Sequence, residues 1–218
     1  MTVQNAALGV AIGSPLFALY ILGVLLAFDM DSAPGQYALV VPVSYFLGSM
    51  PWGFLLTQAA DAGRPQSPDT ATTSLNALSI SMATLDAGKG ALSVALGWAV
   101  IDTGEGAIAA GLAVLAGHSW SVFRRLRGER GAATLLGGLL VMEPIAGAIG
   151  AATLPLALLG HRLLLPMAIV VAGIAFMATL VMAFVDQTTY LYLLYVGPAA
   201  LLVIYRHREG LPLPGRIL

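Results

Sequence analysis

The sequence predicts an all-α fold, a polytopic bundle of seven or eight transmembrane helices. Three observations carry this. Residues of the set AVILMFWYC make up 58% of the 218 positions and charged residues only 10%, against about 25% charged in an ordinary soluble chain. The apolar residues fall into runs long enough to cross a bilayer, which takes about 20 residues. No strand-like alternation persists along them, which argues against a membrane barrel. A net charge of −1 gives no reason to expect a nucleic-acid partner. The absence of cysteine excludes disulfides, thiolate metal sites and thiol catalysis.

The uncharged runs are 3–28, 37–60, 77–101, 107–123, 133–160, 163–185 and 187–205. The first has no cation before it, no A-x-A site after it and is too long for a signal peptide, so it reads as a span. The second contains GSMPWG at 48–53, which reads as tight helix packing or a proline kink. The run 133–160 would make a rod of about 42 Å, longer than the roughly 30 Å hydrocarbon core. Glu143-Pro144 near its middle removes a backbone donor and adds a carboxylate, so two short segments compete with one tilted helix. Near the start of the last run, Tyr190, Tyr192 and Tyr195 read most simply as interfacial anchors.

Charge asymmetry favours eight crossings with both termini inside. The inner segments then hold Arg64, Arg124, Arg125, Arg127, Arg130, Arg162, Arg206, Arg208 and Arg216. The outer turns hold Asp29, Asp31, Asp102, Glu105, Glu143 and Asp186, and no cation. This is the positive-inside pattern. It implies a multi-pass protein of the cell inner (plasma) membrane. The whole chain, 1–218, reads as one integral membrane domain.

Two charges lie inside a span. Asp86 and Lys89, in LDAGKGA, each cost about 2.5–3.5 kcal/mol at the centre of a membrane helix. Three residues apart, they share a helix face and can pair. They read either as glue between helices or as a substrate site, since intramembrane charges are commonly functional. The segment GHSWSVFRRLRGERGAAT at 117–134 concentrates arginine and glycine between two apolar runs. It reads as a topogenic loop or as a phosphate cradle, in which Gly128 and Gly131 admit an anion to backbone N–H groups and a helix starting near Ala132 offers its positive end. It is not a Walker A loop, because the required lysine spacing is missing. His118, at a helix end, is either a satisfied structural group or a group that binds or deprotonates a hydroxyl. His161 and His207 are too isolated to argue a metal site, and none is expected.

Taken in order, these landmarks resemble the bacterial acyl-phosphate-dependent glycerol-3-phosphate acyltransferase family. The matching parts are G-S-x-P-x-G from Gly48 to Gly53, D-x-x-K-G from Asp86 to Gly90, the loop from Gly117 to Thr134, and YRHRE from Tyr205 to Glu209. The family's loop reads approximately G-H-x-x-P-V-F-x-x-F-K-G-G-K-G-V-A-T. Gly117, His118, Val122, Phe123, Gly128, Gly131, Ala133 and Thr134 agree, while Arg127 and Arg130 stand in place of lysines. The resemblance covers about residues 40–209, which leaves 1–36 as an additional N-terminal span and places the matching loops in the cytoplasm.

The resemblance implies acyl transfer from acyl phosphate to glycerol 3-phosphate, giving lysophosphatidic acid, the first step of phospholipid biosynthesis. Acyl phosphate carries its own good leaving group, so no covalent enzyme nucleophile is required, and no cofactor or metal is expected. Membrane lipids are the other expected partners. The resemblance implies catalytic roles for His118 and Lys89. It implies substrate contacts from Ser49, Asn76, Asp86, Arg127, Gly128, Arg130, Gly131 and Thr134. Several positions depart from the family. PDTATTSLN stands where a glycine-rich G-S-G-N-x-G-A-T-N loop is expected, and only Asn76 matches its last asparagine. Glu129 replaces a glycine, Ser121 replaces a proline, and HRLLLPM at 161–167 lacks the family's serine. Two other readings compete with this one: a family-derived protein that binds lipid or a partner without turnover, and a small transporter using Asp86 and Lys89 in a cavity.

Overall fold

A computed structural model of the chain describes residues 15, 18–22, 33–52, 56, 77–124, 126, 128–153 and 164–208. Asn76 and Arg127 lie outside the described residues, as do the polar segment 61–76 and the C-terminal ten residues. The described elements are helical, and no strand occurs among them. They are α1 (Ala33–Ser49), α2 (Ala77–Ile101), α3 (Gly104–Ser119), α4 (Ala132–Met142), α5 (Pro144–Ala151), α6 (Leu164–Val185) and α7 (Leu193–Arg208). Short 3-10 turns at Val122–Arg124 and Gln187–Tyr192 precede α4 and α7. Of the first predicted span, the described part at 18–22 is helical, and the Tyr20 hydroxyl donates to the Ala38 carbonyl at 2.8 Å.

The bundle is tied by close backbone approach. α1 packs on α3, α2 lies between α3 and α4, and α5, α6 and α7 pack along the far side. At the α1–α3 crossing, a Cβ on Gly48 would strike the Val114 carbonyl and one on Gly117 would strike the Tyr45 carbonyl. At the α2–α4 crossing, Gly90 faces the Thr134 carbonyl and Gly137 faces the Ala87 carbonyl in the same way. In lipid, helices gain from such contacts because apolar burial alone gives them little reason to associate. The outer surface is correspondingly apolar: Leu92, Met177, Val181, Phe184, Val185, Leu194 and Leu201 are all exposed.

The run 133–160 is divided where the sequence suggested. α4 stops at Met142, Glu143 is non-helical, and Pro144 opens α5, a position that suits a residue without an N–H. The eleven residues of α4 extend only about 16 Å, short of the hydrocarbon core. Thr189 donates to the Glu143 carboxylate at 3.1 Å, which gives that charge a partner at the break.

One alternative is resolved and one reading is corrected. In the run 37–60 the proline interrupts the helix: α1 ends at Ser49, and Met50 and Pro51 are non-helical. A proline disfavours helical backbone at the preceding residue and cannot donate to the turn behind it. Tyr195 is not an interfacial anchor. It is fully buried, and its hydroxyl donates to the Leu135 carbonyl at 3.0 Å, joining α7 to α4. Tyr190, by contrast, is exposed.

Candidate active site

The break after α1 creates the first part of the site. Because the helix stops at Ser49, no following turn supplies an N–H to the Met50 carbonyl, and Lys89 Nζ reaches it at 2.8 Å. The same ammonium lies 2.9 Å from Asp86 Oδ1. Asp86 Oδ1 in turn stands 3.7 Å from His118 Nδ1, at the last turn of α3. All three side chains are buried. The mid-span charges thus satisfy one another and hold α1, α2 and α3 in register.

The loop after α3 supplies the second part. It turns back along its own start: Gly128 N–H donates to the Ser119 carbonyl at 3.1 Å and Glu129 N–H to the His118 carbonyl at 3.1 Å. A Cβ on Gly128 would strike the His118 carbonyl, so this return needs glycine. Ser121 Oγ donates to the Ser49 carbonyl at 2.5 Å, and the Ser49 hydroxyl donates to the Gly117 carbonyl at 3.3 Å. Phe46 and Phe123 meet edge to face, with ring centroids 5.3 Å apart. From α7, Arg206 donates to the Gly128 carbonyl at 3.2 Å and lies over the Trp120 ring. Gly131, at φ 79°, closes the loop in the left-handed region and opens α4.

These parts line two adjoining cavities. A small notch is walled by Ser49, Asp86, Lys89, His118, Arg124 and Glu129. A cleft of about 480 Å³ is walled by Met82, Asp86, His118, Glu129, Arg130 and the Gly131–Ala133 turn. Asp86, His118 and Glu129 border both. Of the residues singled out from sequence, Ser49, Asp86, Lys89, His118, Gly128, Arg130 and Gly131 are brought together here. Thr134 is buried against Gly90 and lines neither cavity, and its hydroxyl has no partner among the described residues. The Met50 carbonyl, Arg124 and Arg206 were not foreseen. A backbone carbonyl carries no sequence signal beyond the proline after it, whereas Arg206 lies within the YRHRE match.

Asp86, His118 and Glu129 place their ligand atoms within 4.8 Å of one another, a spacing that could hold a cation. Lys89 already occupies Asp86, and Arg124 lies 3.0 Å from Glu129. Both carboxylates of this group therefore already face a side-chain cation.

A sequence profile described as glycerol-3-phosphate acyltransferase matches residues 38–212. The chain is 33% identical over 197 residues to glycerol-3-phosphate acyltransferase 3 of Dehalococcoides mccartyi (strain CBDB1), covering 79% of this chain and 89% of that one. The chain belongs to this family. It is a membrane acyltransferase. A second relative, the glycerol-3-phosphate acyltransferase of Laribacter hongkongensis (strain HLHK9), is 35% identical over 182 residues, covering 78% and 88% of the two chains. The fold of this acyltransferase resembles the crystal structure of PlsY (YgiH), an integral membrane glycerol 3-phosphate acyltransferase, in its glycerol 3-phosphate form. The TM-score is 0.61 at 24% identity, over 79% of this chain and 88% of that one. The lysophosphatidic acid form of PlsY superposes with a TM-score of 0.56 at 23% identity.

Proposed function

We propose that this acyltransferase moves the acyl group of an acyl phosphate to the 1-hydroxyl of glycerol 3-phosphate, at the cytoplasmic face of the inner membrane. The observation that carries the reading is the pair of adjoining cavities that share His118, one walled by Lys89 and the other by the Gly128–Gly131 turn. The hydroxyl oxygen attacks the acyl carbonyl carbon, the carbon–oxygen bond to phosphate breaks, and the hydroxyl proton passes to His118. Inorganic phosphate and lysophosphatidic acid leave. Ser49, Lys89 and Arg130, joined by Asn76 and Arg127 as the family resemblance implies, hold the two phosphates. Gly128, Gly131 and Thr134 shape the first turn of α4, whose N-terminal end favours anions. Asp86 orients Lys89 and His118. Positioning and charge neutralisation supply most of the rate.

The distribution of charge supports the orientation. The cleft end of the bundle carries Arg124, Arg130 and Arg206, and the opposite end carries Asp102, Glu105, Glu143 and Asp186. Cationic loops are retained on the cytoplasmic side.

The test is phosphate release by the purified full chain given palmitoyl phosphate and glycerol 3-phosphate, beside Lys89→Ala and Arg130→Ala. Release that requires glycerol 3-phosphate and falls at least about tenfold in both variants is expected, since a hydrogen bond to a charged group contributes about 1.5–3 kcal/mol. Equal rates in all three proteins would remove the assignment of these residues. Release that persists without glycerol 3-phosphate would point to water or another acceptor.

A further inference from the structure

Glu129 stands on the wall shared by both cavities, at a loop position where the resembled family has glycine. Its carboxylate lies 3.0 Å from Arg124 Nη1, and Arg124 occupies a position that the family's loop leaves unspecified. This chain has therefore placed an added anion against a cation inside its phosphate pocket. The notch wall consequently carries two cations, Lys89 and Arg124, each facing a carboxylate, Asp86 and Glu129.

The two pairs are not equivalent. The Asp86 and Lys89 side chains are 11% and 6% exposed, while those of Arg124 and Glu129 are 27% and 37% exposed. Separating a buried pair strands a charge away from water, whereas a partly exposed pair contributes only about 0–1 kcal/mol. The Arg124–Glu129 contact is thus the one an incoming anion can open. A phosphate monoester brings a charge of about −1.5 to −2 and three acceptor oxygens, against a single charge on the carboxylate. Arginine matches phosphate geometry with two parallel donors.

We propose that Glu129 sets the substrate selectivity of the cleft by holding Arg124 until a phosphate group displaces it. The exchange is carboxylate for phosphate on one guanidinium, with no bond made or broken. It disfavours singly charged anions such as fatty carboxylates, which cannot outcompete Glu129, and it weakens phosphate binding by leaving the displaced carboxylate nearby. This deepens the reading of the same site given above, because it assumes a phosphate-bearing substrate there.

The experiment measures glycerol 3-phosphate binding by calorimetry on the full chain in detergent, alongside phosphate release from palmitoyl phosphate. The proteins are the parent, Glu129→Gly, Glu129→Gln, Glu129→Asp, Arg124→Ala and the Arg124→Ala/Glu129→Gly double variant. Removing the competing carboxylate is expected to tighten glycerol 3-phosphate binding about fivefold in Glu129→Gly and Glu129→Gln, the scale of a partly exposed ion pair. The same change should lower KM rather than raise kcat, Glu129→Asp should retain the parent affinity, and the double variant should lose the gain. Caprylate, a singly charged competitor, should inhibit Glu129→Gln more strongly than the parent. Unchanged or weaker glycerol 3-phosphate binding in both Glu129→Gly and Glu129→Gln overturns the proposal, as does a gain that survives in the double variant. If no protein releases phosphate but the binding gain appears, the acyl-transfer reading fails and the selectivity role stands. Intact release without the gain has the reverse meaning.

Discussion

Lys89 and Asp86 form a buried ion pair at 2.9 Å, one helical turn apart in the middle of α2. The ammonium also donates to the Met50 carbonyl, at the broken end of α1, at 2.8 Å. Removing one partner leaves the other charge uncompensated, which costs about 3–5 kcal/mol in a buried pair. Lys89→Met and Asp86→Asn should each lower the unfolding midpoint in detergent. The double variant Asp86→Leu/Lys89→Met should cost less than the sum of the two, because neither charge is then stranded. Strict additivity in the unfolding series would show that the pair is not energetically coupled.

Two glycines in the same helix should respond in opposite ways to one added methyl group. A Cβ on Gly88 meets nothing within 4 Å, whereas one on Gly90 strikes the Thr134 carbonyl across the α2–α4 crossing. Gly88→Ala should be neutral or stabilising by up to about 1 kcal/mol, the usual difference in helix propensity. Gly90→Ala must push α4 away from α2, and backbone cannot move aside as a flexible side chain would. Melting temperatures of the two variants in one detergent would check this. Equal shifts would contradict the crossing geometry.

The sequence made most of the fold legible because lipid imposes long apolar runs, and α2 and α6 coincide with runs read directly from hydropathy. Glu143-Pro144 also announced its break, since proline at the first position of a helix is a local signal. The misread elements depend on tertiary contacts. Tyr195 has the composition of an interfacial anchor, and only packing against Gly138 and the Leu135 carbonyl places it in the core. The site was legible as residue types, with Asp86, Lys89, His118 and the glycine loop all visible. The pairing of Arg124 with Glu129 was not, because an ion pair across a folded-back loop has no helical spacing to betray it.

Tyr195 provides a measure of the α7–α4 contact. Its hydroxyl is fully buried and donates to Leu135, whose carbonyl belongs to the short helix α4. Tyr195→Phe keeps the ring and deletes the donor, and should cost about 1 kcal/mol. Unfolding of the purified variant should show that loss with little change in KM, since Tyr195 lines neither cavity. A large effect on KM with unchanged stability would place Tyr195 in the substrate path.

Gly131 tests whether the loop is built for a ligand or merely for a turn. Its φ of 79° lies in the left-handed region, and a Cβ there would meet Leu115 Cδ1 at 2.6 Å. For a residue with a side chain that conformation costs about 1–2 kcal/mol. Gly131→Ala should therefore destabilise the protein by roughly that amount and shift the first turn of α4, which lines the larger cleft. If the proposed reaction places a substrate phosphate at this helix end, activity should fall further than the loss of folded protein explains. Phosphate release per folded molecule, with the folded fraction taken from the melting curve, separates the two effects. If activity per folded molecule equals that of the parent, the α4 terminus does not contact substrate.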